Sequence, residues 1–162
     1  MKRRDWLAAA PALALAPWAG ADTLPAQPGQ PVQWPSDIPL LDGGRWAPAP
    51  GQAQVVVFWS TSCPFCRRHN AHVDKLHRSL AGRPVSVLGV ARDRDPAAVR
   101  RYIAQQGYGF PVTLAWQEMA AALSRRNMIP LTVSVDRQGR LREVIPGEMF
   151  EGDVMDLASL AA

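Results

Sequence analysis

The chain has 162 residues, of which 48% are hydrophobic and 20% are charged. Such a length suits a single domain, and so high an apolar fraction excludes a wholly disordered chain. The formal net charge is +4, with three of the basic residues at positions 2–4, so the excess in the rest of the chain is too small to indicate a nucleic-acid partner.

The first 21 residues predict an export signal. Basic residues at 2–4 precede an apolar run over 7–18, and Ala19-Gly20-Ala21 supplies the small residues that signal peptidase requires. We therefore expect cleavage after Ala21 and a periplasmic protein. Export by the Sec route and by the twin-arginine route both remain open, since Arg3-Arg4 fits the second. The apolar run is too short for a stable membrane span, and an uncleaved amphipathic anchor is the alternative.

The remaining elements follow in chain order. Residues 22–36 predict an extended lead-in, and residues 37–162 predict one folded domain that begins with a hairpin around Asp42-Gly43-Gly44. The strands predicted after the hairpin cover residues 55–59, 84–91, 110–115, 131–135 and 141–145. The predicted helices cover residues 64–82, 96–107, 116–127 and 151–160. This alternation predicts a three-layer α/β sandwich with a parallel centre, to which the last two strands add an antiparallel edge.

The only two cysteines, Cys63 and Cys66, stand where the apolar strand over 55–59 gives way to a helix. A disulfide that closes so small a loop adds little stability, so in an exported protein this spacing favours a redox pair. The unpaired N–H groups of the first helical turn favour a thiolate at Cys63, and Pro64 fits that turn. Cys66 lies one turn further along the helix and suits the resolving thiol.

The segment from Phe58 to Cys66 resembles the active site of the thioredoxin superfamily, because Cys63-Pro64-Phe65-Cys66 follows an apolar strand. Ile129-Pro130, just before a predicted strand, is similar to the cis-proline of that superfamily. With the export signal and the hairpin, residues 32–160 most resemble the TlpA-like thiol-disulfide oxidoreductases, which include the cytochrome c maturation reductases. The resemblance implies a thioredoxin-like three-layer sandwich with an N-terminal β-hairpin extension.

The resemblance also implies a role for each site residue, without a cofactor. Cys63 would be the nucleophile and Cys66 the resolving cysteine. The substrate-binding and active-site shell around them would comprise Trp59, Pro64, Phe65, Ile129 and Pro130. Pro130 would carry the cis peptide bond, because such bonds are rare outside X-Pro. A routine proline at the start of a strand is the alternative.

Three positions depart from the resemblance. Thioredoxin keeps a buried Asp at the position of Val57, and many TlpA-like reductases carry a Glu at the position of His69. A Glu that follows the cis-proline in the cytochrome c maturation branch is also absent, since Thr132 and Val133 stand there. His69, one turn beyond Cys66 on the same helix face, is therefore the candidate proton shuttle. A solvated helical histidine is the alternative.

The function that the resemblance implies is a monomeric periplasmic reductase. A membrane thiol-disulfide electron donor would reduce it, and it would in turn reduce the disulfides of exported client proteins. A thiol oxidant with the opposite electron flow and a non-catalytic peptide-binding module are alternatives.

A copper-binding or copper-delivery protein that uses the two cysteines is a further alternative. Cys63, Cys66, His69 and His72 recur at every third residue, but side chains on one straight helix diverge too far to surround an ion, so no metal is expected. Attached haem c is excluded because Arg67, and not a histidine, follows Cys66.

Overall fold

The computed structural model describes residues 24–162, so the predicted signal peptide over residues 1–21 and its cleavage site lie outside the described residues. Within residues 24–162, no helix has both the length and the apolar character needed to cross a membrane. The boundaries of the lead-in and of the folded domain stay predictions.

The lead-in lies against the folded domain. The N–H groups of Gly29 and Val32 donate hydrogen bonds to the carbonyls of Leu141, at 2.7 Å, and Gly139, at 2.9 Å. After it, β1 (Ile38–Pro39) and β2 (Arg45–Trp46) pair in antiparallel fashion. The turn between them contains Gly43 with a φ of 92°, a conformation that glycine adopts without strain. The structure therefore contains the predicted hairpin.

A five-stranded sheet forms the centre of the domain, in the order β5-β4-β3-β6-β7. Its strands are β3 (Ala53–Trp59), β4 (Val85–Ala91), β5 (Val112–Thr113), β6 (Leu131–Val135) and β7 (Leu141–Pro146). The first three run parallel to one another, and β6 and β7 are each antiparallel to their neighbours. Every residue of β3 is buried, as expected for a continuous apolar strand in the middle of a sheet.

The helices are α1 (Pro64–Ser79), α2 (Pro96–Gln106), α3 (Trp116–Leu123) and α4 (Glu151–Asp156), the last followed by a 3-10 helix over Leu157–Ala161. A proline opens each of the first two helices, where no backbone donor is lost. The prediction for α3 was too long, because Ser124 already has extended backbone angles of φ −168° and ψ 129°.

The helices cover both faces of the sheet. Side chains from alternate β3 positions, such as Val57 and Trp59, pack with α1, α4 and part of α2. The intervening positions, such as Val56 and Phe58, pack with α3, the hairpin and the lead-in. This arrangement confirms the predicted thioredoxin-like three-layer sandwich, and it places the start of α1 at the carboxyl end of β3.

Candidate active site

Cys63 and Cys66 form a disulfide at the carboxyl end of β3, with their Cα atoms 5.2 Å apart. Cys63 is the N-cap residue of α1, and the Cys66 N–H donates a hydrogen bond to its Sγ at 3.1 Å. Cys63 is partly exposed, whereas Cys66 is fully buried. A reacting sulfur from another molecule can therefore reach Cys63 but not Cys66. This asymmetry fits the roles of attacking and resolving cysteine that the sequence predicts.

A carboxylate at the end of β4 holds the loop that leads into Cys63. The Thr61 N–H donates to Asp93 Oδ2 at 3.0 Å, and the Thr61 hydroxyl donates to the other oxygen of the same carboxylate. The N-cap of α2 is Asp95, so Asp93 is left to hold this loop. Sequence spacing carries no signal for the Asp93 contact, because it joins residues 32 positions apart.

The second side of the site is the Ile129–Pro130 peptide bond, which is cis, as the resemblance implies. Because β6 is antiparallel to β3, this bond and the disulfide lie at the same end of the sheet. Pro130 is buried, and its carbonyl accepts a hydrogen bond from the Gly147 N–H at 2.8 Å. Met128, just before the bond, is 47% exposed and adds an apolar side chain to the surface.

Trp59 lies beneath the site and not on its surface. Its side chain is fully buried, with ring centroids of Tyr102 at 5.8 Å and Tyr108 at 6.2 Å. The Tyr108 hydroxyl donates to the carbonyl of Arg67 at 3.2 Å, which ties this aromatic group to the first turn of α1. Trp59 therefore belongs to the supporting part of the predicted shell, out of reach of a substrate.

His69 is fully buried, so the alternative of a solvated helical histidine is wrong. Its Nε2 lies 2.9 Å from Thr132 Oγ1 on β6, and the Met149 N–H donates to its Nδ1 at 3.3 Å. Because Nδ1 accepts that bond, the single ring proton is on Nε2, and Nε2 donates to the threonine. Burial, and secondarily His72, lower the pKa of His69 to about 4, while Glu148 acts in the opposite direction. His69 is therefore a neutral imidazole at pH 7.

The three positions at which this chain departs from the resemblance lie next to one another. Thr132 pairs with Val57 across the β3–β6 ladder and also contacts His69. His69 is one helical turn beyond Cys66, and it forms a neutral polar pair with Thr132 at positions where the resemblance implies carboxylates. The predicted proton-shuttle role of His69 stays a prediction.

The exposed rim of the disulfide combines an aromatic ring with an ion pair. Phe65, between the two cysteines, is 55% exposed, and the guanidinium carbon of Arg68 lies 5.0 Å from its ring centroid. Arg68 also makes two hydrogen bonds to Glu148, at 2.8 Å and 2.6 Å, which lower the pKa of that carboxyl group. Phe65 occupies the predicted rim position. The sequence gives no signal for Glu148, which is 80 residues from its partner.

The donor atoms of the site do not form a ready metal site. In the part of the chain that the structure describes, no group of three or more His, Cys, Asp and Glu residues could hold an ion. Both ring nitrogens of His69 are occupied by hydrogen bonds, so its ring would have to break them to act as a ligand. Copper binding through Cys63 and Cys66 stays an alternative prediction.

Comparisons with known proteins agree with this geometry. Residues 46–160 match the model of the Redoxin family. The thiol-disulfide oxidoreductase ResA of Halalkalibacterium halodurans is 24% identical over 110 residues, which cover 68% of this chain and 62% of that relative. The chain thus spans about three-fifths of the length of the curated relatives that it matches.

Solved structures show the same fold. A thiol:disulfide interchange protein of the thioredoxin family from Chlorobium tepidum TLS has a TM-score of 0.73 and 25% identity, over 83% of this chain and 99% of that one. A secreted thiol-disulfide isomerase from Corynebacterium glutamicum has a TM-score of 0.70 and 24% identity, over 77% of this chain and 82% of that one. These similarities confirm the thioredoxin-like architecture.

Proposed function

The chain belongs to the Redoxin family of the thioredoxin superfamily, and on that premise we propose that it is a thiol-disulfide oxidoreductase acting through Cys63 and Cys66. The observation that carries the proposal is the unequal exposure of two bonded sulfurs at the start of a helix. Cys63 is open to a partner, and Cys66 is buried directly behind it.

The proposed reaction moves two electrons by exchanging sulfur–sulfur bonds. In the reduced protein, the Cys63 thiolate attacks one sulfur of a client disulfide, and the other client sulfur leaves as a thiolate that takes up a proton. Cys66 then loses its proton and attacks Cys63 Sγ. This step releases the second client thiol and leaves the Cys63–Cys66 disulfide seen here.

The first turn of α1 supports the reactivity of Cys63. Cys63 is the N-cap residue, and the Cys66 N–H already points at its sulfur in the oxidised protein. The unpaired N–H groups of a helix start favour a negative charge, so they favour the thiolate both as attacking group and as leaving group. The cis peptide bond at Ile129–Pro130 lies at the same end of the sheet, and we propose that it offers backbone groups to an extended client segment.

We further propose that the protein is an exported, monomeric reductase in the periplasm. The basic and apolar N-terminus supports export, and a structural neighbour described as secreted is consistent with it. Its electron source would be a membrane thiol-disulfide donor, and its clients would be exported proteins. N-terminal sequencing of the exported protein tests the leader: a mature protein that starts at Asp22 is expected, and an intact Met1 would contradict it.

Trapping tests the assignment of the two cysteines. The Cys66→Ser variant should accumulate mixed disulfides with client proteins, because the resolving sulfur is gone while exposed Cys63 remains. The matched Cys63→Ser variant should trap almost nothing, because its remaining sulfur is fully buried. Equal trapping by the two variants would contradict the assignment, as would failure of the unmodified protein to reduce insulin disulfides.

Equilibration with glutathione buffers tests the direction of electron flow. A reductase requires a Cys63–Cys66 reduction potential well below that of glutathione in an oxidising compartment. A higher reduction potential would make the protein a thiol oxidant. The same reduced sample tests the copper alternative: stoichiometric copper retained after reduction and desalting would favour metal delivery over redox exchange.

A further inference from the structure

Four chain segments that are linked by hydrogen bonds at the carboxyl end of β3 form what we call the disulfide face, namely residues 60–68, 92–95, 124–130 and 147–150. Hydrogen bonds join them: Thr61 to Asp93, Arg92 to Asn127 at 2.7 Å, and Gly147 to the carbonyl of Pro130 at 2.8 Å. The Arg68–Glu148 pair closes the remaining side. These contacts place the charges of all four segments on one surface.

The disulfide face holds the whole net charge of the described chain. It contains six arginines, at positions 67, 68, 92, 94, 125 and 126, and three carboxylates, at 93, 95 and 148, for a net charge of 6 − 3 = +3. Residues 24–162 contain 15 basic and 12 acidic residues, which is also +3. The remaining surface, with nine basic and nine acidic residues, is therefore neutral overall.

The carboxylates of this face are engaged, whereas most of its arginines are not. Asp93 accepts from Thr61, Asp95 caps α2, and Glu148 binds Arg68. Within residues 24–162, no salt bridge involves the arginines at 67, 94, 125 or 126, and all four are exposed. Two of the four directly precede Asn127 and Met128, beside the cis peptide bond.

The same face exposes three large apolar side chains. Phe65 is 55% exposed, Met128 47% and Phe150 85%, and of the large hydrophobic residues described only Leu24 is also so exposed. Phe65 lies between the cysteines, and Met128 directly precedes the cis peptide bond. Phe150 is two residues after Glu148, the partner of Arg68. An apolar contact area surrounded by free cations would fit a polypeptide that carries both apolar and acidic side chains.

We propose that the disulfide face selects client proteins whose cystine is flanked by acidic residues, with an apolar residue seated against Phe65 and Met128. This inference rests on the proposed oxidoreductase function. Asp and Glu beside the client cysteine would pair with Arg125, Arg126 and Arg67 while the client sulfur approaches Cys63. Opposite charges raise association rates by about 10- to 1000-fold, and added salt reduces the effect.

Three synthetic peptides of equal length and with the same internal disulfide test the proposal. The residues that flank the cysteines are Asp and Glu in the first peptide, Asn and Gln in the second, and Lys in the third. The reduced protein should reduce the acidic peptide at least about tenfold faster than the neutral peptide at low salt, and the basic peptide more slowly than the neutral one. At 0.5 M salt the three rate constants should converge.

Two double variants with reversed charges test which part of the surface causes the preference for the acidic peptide. Arg125→Glu combined with Arg126→Glu should abolish the preference for the acidic peptide, measured as the ratio of the rate constants for the acidic and the neutral peptide at low salt. The matched control is Arg83→Glu combined with Arg140→Glu, which changes the net charge equally. Those residues precede β4 and β7 at the opposite end of the sheet, and the control should keep the preference.

Each result has a distinct meaning. If all three peptides are reduced at similar rates at low salt, or if both double variants lose the preference equally, the acidic-client proposal is wrong and the oxidoreductase function stands. If none of the peptides is reduced faster than by a free thiol at the same concentration, the proposed function fails and the client proposal fails with it.

Discussion

Protonation of His69 should control part of the pH dependence of stability. Its folded-state pKa of about 4 lies below the value of 6.5 in an unfolded chain, because burial disfavours the imidazolium. Between these two values the unfolded state binds a proton that the folded state does not bind. The free energy of unfolding should therefore fall as the pH is lowered through this window, and the loss should be complete below pH 4.

The two pKa values set the size of the effect. The full difference corresponds to about 3.4 kcal/mol, of which about 1.8 kcal/mol is lost between pH 7 and pH 5. The value of about 4 already includes the two nearby groups, of which His72 contributes in the same direction as burial and Glu148 opposes it. Comparison with a variant that lacks the His69 imidazole isolates its contribution.

Urea unfolding of the oxidised protein at pH 7 and pH 5 measures the effect. His69→Gln removes the titrating group and keeps an amide that can hydrogen-bond to Thr132. The variant should therefore lose about 1.8 kcal/mol less than the unmodified protein between the two pH values. Its packing change affects both pH values equally and cancels in the comparison.

His77→Gln on the same helix is the matched control, and it should keep the pH dependence because His69 is intact. If the unmodified protein and His69→Gln show the same change between pH 7 and pH 5, then His69 is not a buried neutral imidazole. The hydrogen-bond assignment with Thr132 and Met149 would then be wrong as well.

Two further predictions concern packing and the loop before Cys63. Gly89→Ala should destabilise the protein by about 1–3 kcal/mol, because the new Cβ would lie 2.8 Å from the ring of Phe110. The control is Gly152→Ala in α4, whose new Cβ meets nothing within 4 Å, so this variant should be neutral or stabilising. Thermal unfolding of both variants checks the prediction, and equal losses of stability would contradict it. Asp93→Ala should lower the free energy of unfolding by about 1–3 kcal/mol and slow disulfide reduction, because two Thr61 donors lose their acceptor. Unchanged reduction kinetics would show that the loop before Cys63 does not need this contact.

The elements that the sequence predicted well are those with strong local signals. The apolar run at the centre of β3 and the prolines that open α1 and α2 identify these elements from a few neighbouring residues. β5 was predicted over 110–115, but only Val112–Thr113 pairs with another strand, because β5 lies at the edge of the sheet and β4 is its only neighbouring strand there. Whether a neighbouring strand is present is not encoded in the local pattern.

The site divides in the same way. Cys63, Cys66 and Pro130 were identified because their spacing and neighbours are distinctive within a short segment. The burial of His69 was not predictable, because it depends on Thr132, which is 63 residues away, and on the loop that leads into α4. Asp93 and Glu148 were missed for the same reason, since their contacts join distant parts of the chain.

The disulfide thus lies between a neutral interior and a cationic surface. On the interior side, His69 is uncharged at pH 7 and Val57 is apolar, so neither side chain carries a charge that could act on the buried sulfur of Cys66. The arginines of the disulfide face are exposed, where water and salt weaken their effect on a nearby sulfur but leave them able to attract a charged partner. Thiolate formation should therefore depend mainly on the first turn of α1, which adjoins Cys63, and selection of a client mainly on the arginines around it.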